Sequence, residues 1–342
     1  MKILRLSSLL FFLLPAIAFA QFRLLDANTH APVVYASVTH KGQLLCTSDT
    51  AGNLSGISPT IGKVTIQHIA YKTFEANANS LSKVIYLTPT TYNLKDVEIN
   101  VAQPEFICLR GYFRSYTVNR EAADTVLKNY ADGIVEYFIP INKGKAKHRL
   151  IEYRYFHDSR DSSFLQDLDI AKPVIPKVAP SCSNDFAVIG DSVVMAKGQK
   201  IGTAFIDSLN HTRLVKADMM KLMPRTKISL FGITVRMLED DFTELSHTGH
   251  SRFPQLGFSS QNFISGLEVT LKKHDIFINV YDEFYVLEHR LVTKDEIKDL
   301  KFTGSSSIPK NHVISTEYWK TDGLPQLPSF VQNSIDTELK MY

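Results

Sequence analysis

From about residue 22 the chain alternates apolar and polar positions with a period of two, the pattern of half-buried strands rather than helices. Val34, Ala36 and Val38 share one face of a run that follows Pro32, and Val64, Ile66 and His68 alternate with Thr65, Gln67 and Ile69. Turn-forming clusters at Asp26–His30, Lys41–Gln43 and Asp49–Asn53 separate the runs. Phe22–Leu25, Leu44–Thr47, Val84 with Tyr86, and Val97 with Ile99 complete six or seven short predicted strands. Short strands at this spacing stack as a sandwich, here over residues 21–101.

Residues 102–105 form a short polar joint, and in residues 106–342 the alternating runs lengthen. Tyr112–Val118, Gly133–Ile139, Arg149–Phe156, Leu267–Leu271, Ile276–Tyr281, Phe284–Val292 and Val313–Trp319 are predicted strands. Their half-polar alternation fits an antiparallel sheet with one wet face. The basic run Lys143–Arg149 lies between two of them and is expected to be a solvated hairpin loop. Ile228, Leu230 and Ile233–Val235 predict one further strand. Pro173, Pro176 and Pro180 around Cys182 predict a loop excursion. Leu214, Met219 and Leu222 have helical spacing within Leu209–Met223, and Pro325 and Pro328 precede a predicted terminal helix over Ser329–Leu339. The fold class expected is mainly β: an N-terminal sandwich, then a larger antiparallel β-rich α+β domain, an open sheet or half-barrel with one or two helices.

The first twenty residues change the picture of where the chain acts. Lys2 and Arg5 precede an apolar run, Leu9 to Ile17, and Ala18-Phe19-Ala20 supplies small residues for cleavage before Gln21. The apolar core is about half the roughly 20 residues of a spanning helix. A cleaved signal and an exported, periplasmic or outer-membrane-associated protein are therefore expected, with no transmembrane helix in the mature chain. Tyr342 is an aromatic terminus, but Lys340, Glu338 and Asp336 share its alternation, which argues against a lipid-facing barrel strand. Charge is nearly balanced, 38 Lys and Arg against 35 Asp and Glu, so nucleic acid is not an expected partner. Cys46, Cys108 and Cys182 include no C-x-x-C pair and are expected to be mostly buried and unpaired.

Within residues 21–101, Leu25-Asp26, Pro32-Val33, Ala36–Val38 and Thr47–Leu54 fall in an order that resembles the carboxypeptidase regulatory-like domain, with its strand followed by a T-D-x-x-G-x-F turn. Ile69–Lys72 is similar to that family's G-Y-x motif with Ala70 in place of glycine, and Leu94–Val101 looks like its last strand. The resemblance implies a transthyretin-like sandwich, an accessory module of exported proteins of Bacteroidetes-type envelopes, without peptidase activity. In the second region, Glu317–Lys320 and Leu324–Pro328 resemble, at scattered positions only, the end of exported proteins with a half-barrel of the lipoprotein-carrier type.

Motif chemistry is sparse. None of the eleven histidines has Glu three residues on, H-E-x-x-H is absent, and no G-x-S-x-G, G-x-G-x-x-G or P-loop occurs. No catalytic residue or cofactor is expected from motifs. The best remaining constellation is His247, His250 and Glu244, with Asp240 and Asp241 close by; imidazole and carboxylate together suit a divalent metal, and a helix would put His247, His250 and Glu244 on one face. Tyr137, Tyr153, Tyr155, Phe156, Tyr281, Phe284, Tyr285 and Trp319 fit either a sheet's ordinary core and surface or a lined pocket or carbohydrate platform. The function expected is a non-enzymatic envelope protein, its sandwich supporting a ligand-binding or protein-interaction domain. Its partners would be other envelope proteins or a small apolar or glycan ligand. A hydrolase with a dispersed active site and a periplasmic lipid or lipoprotein carrier are the alternatives.

Overall fold

The computed structural model describes residues 22–90, 103–121, 124–142, 144–159, 172–178, 182, 186–195, 198–222, 227–230, 232–250, 252–271 and 274–342. The expected signal and the strand expected at Val97 and Ile99 lie outside them. The described chain is mainly β, with large antiparallel sheets and no closed barrel.

Seven short strands build the first unit: β1 (Phe22–Asp26), β2 (Ser37–His40), β3 (Gln43–Thr47), β4 (Asn53–Leu54), β5 (Lys63–His68), β6 (Tyr71–Asn77) and β7 (Val84–Leu87). They form two sheets, ordered β4-β1-β7 and β3-β2-β5-β6, around Leu24, Ala36, Val38, Leu54, Val64, Ile66 and Leu87. The turn after β3 is set by Asp49, whose carboxylate accepts the backbone N–H groups of Ala51 and Asn53 at 2.9 and 2.7 Å. Gly52 has φ +78°, and a Cβ there would lie 2.5 Å from the Leu24 carbonyl oxygen, so the turn requires glycine.

Twelve strands form the second unit: β8 (Phe106–Glu121), β9 (Asp124–Pro140), β10 (Lys147–His157), β11 (Phe186–Ile189), β12 (Ser192–Met195), β13 (Lys200–Asp207), β14 (Thr212–Asp218), β15 (Lys227–Leu230), β16 (Ile233–His247), β17 (Phe258–Leu271), β18 (His274–Val292) and β19 (Lys340–Met341). Their order is β11-β12-β13-β14-β16-β17-β18-β8-β9-β10-β19, with β15 paired to β16. Two antiparallel meanders meet where β18 returns to β8. The helices are short: α1 (Lys294–Ile297), with a capping box from Thr293 and Glu296, and α2 (Ser329–Thr337).

One face of this sheet carries the main core, where Leu109, Phe113, Val135, Tyr137, Tyr153, Tyr155 and Phe284 pack with Ile175, Cys182, Phe186 and Ile308. The opposite face receives the sandwich and the C-terminal segment. Val34, Tyr35 and Ile69 pack on Leu214 and Leu245. Tyr281 Oη and Asn279 Nδ2 donate to the Gly42 carbonyl, and Lys216 Nζ donates to Thr47 Oγ1 at 2.9 Å.

Several expectations change. The hairpin around the basic loop forms as expected, β9 against β10. Within the expected helix Leu209–Met223, the described residues 209–222 are not α-helical but run from a turn into β14 and a short 3-10 turn. Arg213–Ala217 alternates between faces, and the Asp207 carboxylate takes the Leu209 and Asn210 N–H groups, which closes a β13–β14 hairpin. Ile228–Leu230 and Ile233–Val235 belong to two paired strands, not one, and Gly232 before the second has φ +80°. Val313–Trp319 forms only a single bridge to Tyr153. Its Ser315 and Thr316 N–H groups bond the Glu152 carboxylate instead of a ladder. None of the three cysteines is joined in a disulfide, and Cys108 and Cys182 are buried.

His68, at the end of β5 where the sandwich meets the sheet, links this packing to pH. Burial pushes its pKa down to about 4 against the opposing hydrogen bond to the Val34 backbone. Between about pH 6.5 and 4 the unfolded chain binds a proton there and the folded chain does not, so this site's stability contribution is lost as pH falls through that window. Asp282 and Glu239 act in the opposite sense, since burial raises them to about 6 and about 7. The wild-type unfolding midpoint minus that of His68→Phe is expected to fall between pH 7.5 and pH 4.5; a difference constant with pH in calorimetry would disprove the assignment.

Candidate functional site

Cross-strand register places a row of polar side chains on the sandwich-facing side of the central strands. Arg114 of β8 stands opposite Glu283 of β18 and Asp132 of β9, and Asp132 stands opposite Arg154 of β10. Tyr112, Tyr116 and Tyr130 flank them by the same alternation. The row is buried: Asp132 is 0% exposed and Arg114 2%.

Its polar atoms satisfy one another. Arg154 donates to Asp132 through Nε at 2.9 Å and also through Nη2, a forked pair. Asp132 further accepts from Tyr112 Oη at 3.1 Å, Tyr130 Oη at 3.0 Å and Tyr318 Oη at 3.0 Å. Burial, and then the charge of Asp132, raises all three tyrosine pKa values, which keeps the hydroxyls as donors. Arg114 donates to Glu283 through Nε and to the Pro325 carbonyl through Nη1 at 2.7 Å.

Residues 313–342 arch over this row as a strap. It leaves β10 where Val313 and Tyr153 exchange backbone hydrogen bonds, and it returns where Tyr342 N–H bonds the Tyr155 carbonyl at 3.0 Å. His312 Nδ1 and the Tyr342 carbonyl oxygen, 2.6 Å apart, clasp its base. Trp319 lies against Arg154, whose guanidinium carbon is 3.8 Å from the indole centroid. The far end reaches the sandwich: Thr73 Oγ1 donates to the Gln326 carbonyl at 2.7 Å, and Ser329 N–H to Glu75 at 2.8 Å.

Between strap, sheet and sandwich lies a cavity of about 840 Å³. Tyr112, Arg114, Tyr130, Asp132 and Arg154 make its floor, Thr73 and Glu75 one wall, and residues 319–327 with Ser329, Gln332, Asn333, Ile335 and Asp336 its roof. A second cavity of about 430 Å³ lies at the sandwich–sheet seam, lined by Val33, Val34, His68, Phe205, Leu214, Leu245 and His247 among others.

The expected metal-binding constellation is distributed differently. Residues 233–247 are strand, so Glu244 and His247, three apart, project to opposite faces. Glu244 is fully buried with Arg213 Nη2 3.6 Å away, while His247 lines the seam cavity. Burial, then the neighbouring His250, lowers the His247 pKa. Among the described residues no group of three or more His, Cys, Asp or Glu side chains could hold a metal ion. The predicted aromatic set divides: Tyr137, Tyr153, Tyr155 and Phe284 join the main core, whereas Trp319 lines the strap cavity. Sequence reasoning missed Asp132 and Arg154. Their signal was a charge standing at an interior position of an alternating apolar run.

No protein-family model matches this chain, and no curated protein matches it. Among solved structures it is similar to lipovitellin, studied for its lipid–protein interactions, at 8% identity over 66% of this chain and 28% of that one, with TM-score 0.22. It is also similar to a conserved protein of unknown function with a hot dog fold from Alicyclobacillus acidocaldarius, at 11% identity over 55% of this chain and 81% of that one, with TM-score 0.12. The chain thus spans just over a quarter of the lipovitellin chain's length. At these scores neither likeness bears on fold or function.

Proposed function

We propose that this chain is a non-enzymatic exported envelope protein that binds a ligand in the strap cavity, with a carboxypeptidase regulatory-like sandwich as part of the binding wall. The cavity itself carries this reading: it lies within the roughly 300–1,000 Å³ range of ligand sites, and three separate parts of the chain converge on it. The sandwich is then more than an accessory, since Thr73 and Glu75 line the site.

Two observations favour binding over the other classes. A hydrolase needs a carboxylate or imidazole poised near neutrality where substrate sits. The carboxylates raised into that range, Glu239 and Asp282, do not line the strap cavity, and Asp132 is committed to Arg154 and three tyrosines. A lipid carrier needs an apolar hollow, whereas this floor is arginine, aspartate and tyrosine hydroxyl.

Asn333 lines the cavity and is exposed, so Asn333→Trp fills space without disturbing a core. Small molecules found by ligand-observed NMR on the wild-type protein should lose binding to this variant. If every binder is retained by Asn333→Trp, the strap cavity is not the site and the reading is wrong.

A further inference from the structure

We propose that the ligand of the strap cavity is a neutral oligosaccharide, an inference that rests on the binding reading above. Charge comes first. The ionic groups around the cavity are paired within the protein: Arg114 with Glu283, Arg154 with Asp132, Lys63 with Glu75 and Lys320 with Glu317. No excess of positive charge remains to hold an anion. Two further lining carboxylates, Asp322 and Asp336, have no cationic partner among the described residues and repel anionic ligands.

Hydrogen-bonding chemistry then narrows the class. The roof and wall offer carboxylate acceptors at Asp322 and Asp336, amides at Gln326 and Asn333, and hydroxyl oxygens at Thr73 and Thr321, whose protons already go to the Gln326 and Tyr318 carbonyls. Carboxylates and these two hydroxyl oxygens only accept, whereas the amides both donate and accept. Ring hydroxyls of a sugar do both at each position and match such a mixed lining. An apolar ligand would strip water from these groups without replacing its hydrogen bonds. The partly exposed Trp319 indole, held by Arg154, adds one flat apolar surface for the carbon face of a sugar ring.

The test is calorimetric titration of the full mature chain with maltotriose, cellotriose and triacetylchitotriose. Trigalacturonic acid, permethylated cellotriose, trialanine and trilysine are the comparisons. Wild type, Trp319→Ala, Trp319→Phe and Asn333→Trp are titrated in parallel, each first shown to unfold cooperatively. At least one neutral trisaccharide should bind saturably. Trp319→Ala should weaken it about tenfold, Trp319→Phe less, and Asn333→Trp should abolish it. Trigalacturonic acid should not bind, and removal of the hydroxyl donors should eliminate binding of the permethylated sugar. Binding of a tripeptide or the acidic sugar, lost in Asn333→Trp, with no neutral sugar bound, overturns the glycan assignment and leaves the binding reading standing. Sugar binding unchanged by Asn333→Trp overturns it as well, and no binding by any probe ends both.

Discussion

Arg114→Ala is expected to destabilise the fold by about 3–5 kcal/mol, a large share of the roughly 5–15 kcal/mol that holds a domain together. Arg114 and Glu283 have side chains only 2% and 3% exposed, on adjacent strands at the centre of the sheet. Burial alone would lower the Arg114 pKa; Glu283 together with Tyr285, Tyr112 and Tyr116 more than offsets it, and the guanidinium stays charged. Truncating Arg114 leaves the Glu283 carboxylate buried, with the Tyr285 hydroxyl at 2.6 Å as its remaining side-chain donor among the described residues. Truncating Glu283 strands the cation in the same way. The double replacement Arg114→Met with Glu283→Leu removes both charges and should recover most of the loss, because the main term is an orphaned charge rather than the pair's net attraction. Guanidinium denaturation of the four proteins decides it. Additive losses in the double variant would show that the two side chains act independently and would refute the stranded-charge account.

The same pair explains what the sequence could and could not disclose. Period-two alternation exposed the strands because the sheet has two differently covered faces, and alternation alone puts Tyr112, Arg114 and Tyr116 on one of them. It also located the basic hairpin, while Pro325 and Pro328, which break the sheet, located helix α2 after them. Alternation is silent on what covers each face. That Arg114 donates to the Pro325 carbonyl, 211 residues away, depends on how the strap is laid down, and no local pattern encodes it. The misassigned stretches fail for similarly non-local or side-chain reasons. Val313–Trp319 has strand composition, but Glu152 captures its backbone donors. Glu244, His247 and His250 have helical metal-site spacing, but pairing with β14 and β17 makes the segment a strand and turns the first two apart. The strap cavity was not legible, since its floor, wall and roof come from parts of the chain far apart in sequence.

Asp132→Ala is the companion to the arginine experiment and separates stability from the strap's attachment. Asp132 is 0% exposed, and it is the point where Tyr318 of the strap and Arg154 of β10 are tied to β9. Alanine leaves Arg154 without its carboxylate and three tyrosine hydroxyls without their acceptor. A loss of about 3–5 kcal/mol is expected from the stranded cation, with further cost from the unmade hydrogen bonds. Asp132→Asn keeps the shape and one acceptor oxygen and should lose less. Tyr318→Phe removes one hydroxyl donor, shared between the Asp132 carboxylate at 3.0 Å and its carbonyl oxygen at 3.3 Å, and should cost about 1 kcal/mol. The three should also differ in where the molecule opens. Tyr318→Phe leaves Arg154 on Asp132 and loosens only the strap, so amide exchange should rise in residues 313–342 while β8 and β9 stay protected. Asp132→Ala should raise exchange in the strap and in β9 together, because one carboxylate serves both. Equal protection of the strap in wild type and Asp132→Ala would mean that its two β10 anchors, at Tyr153 and Tyr155, hold it without the network. The cavity roof would then be fixed independently of its floor.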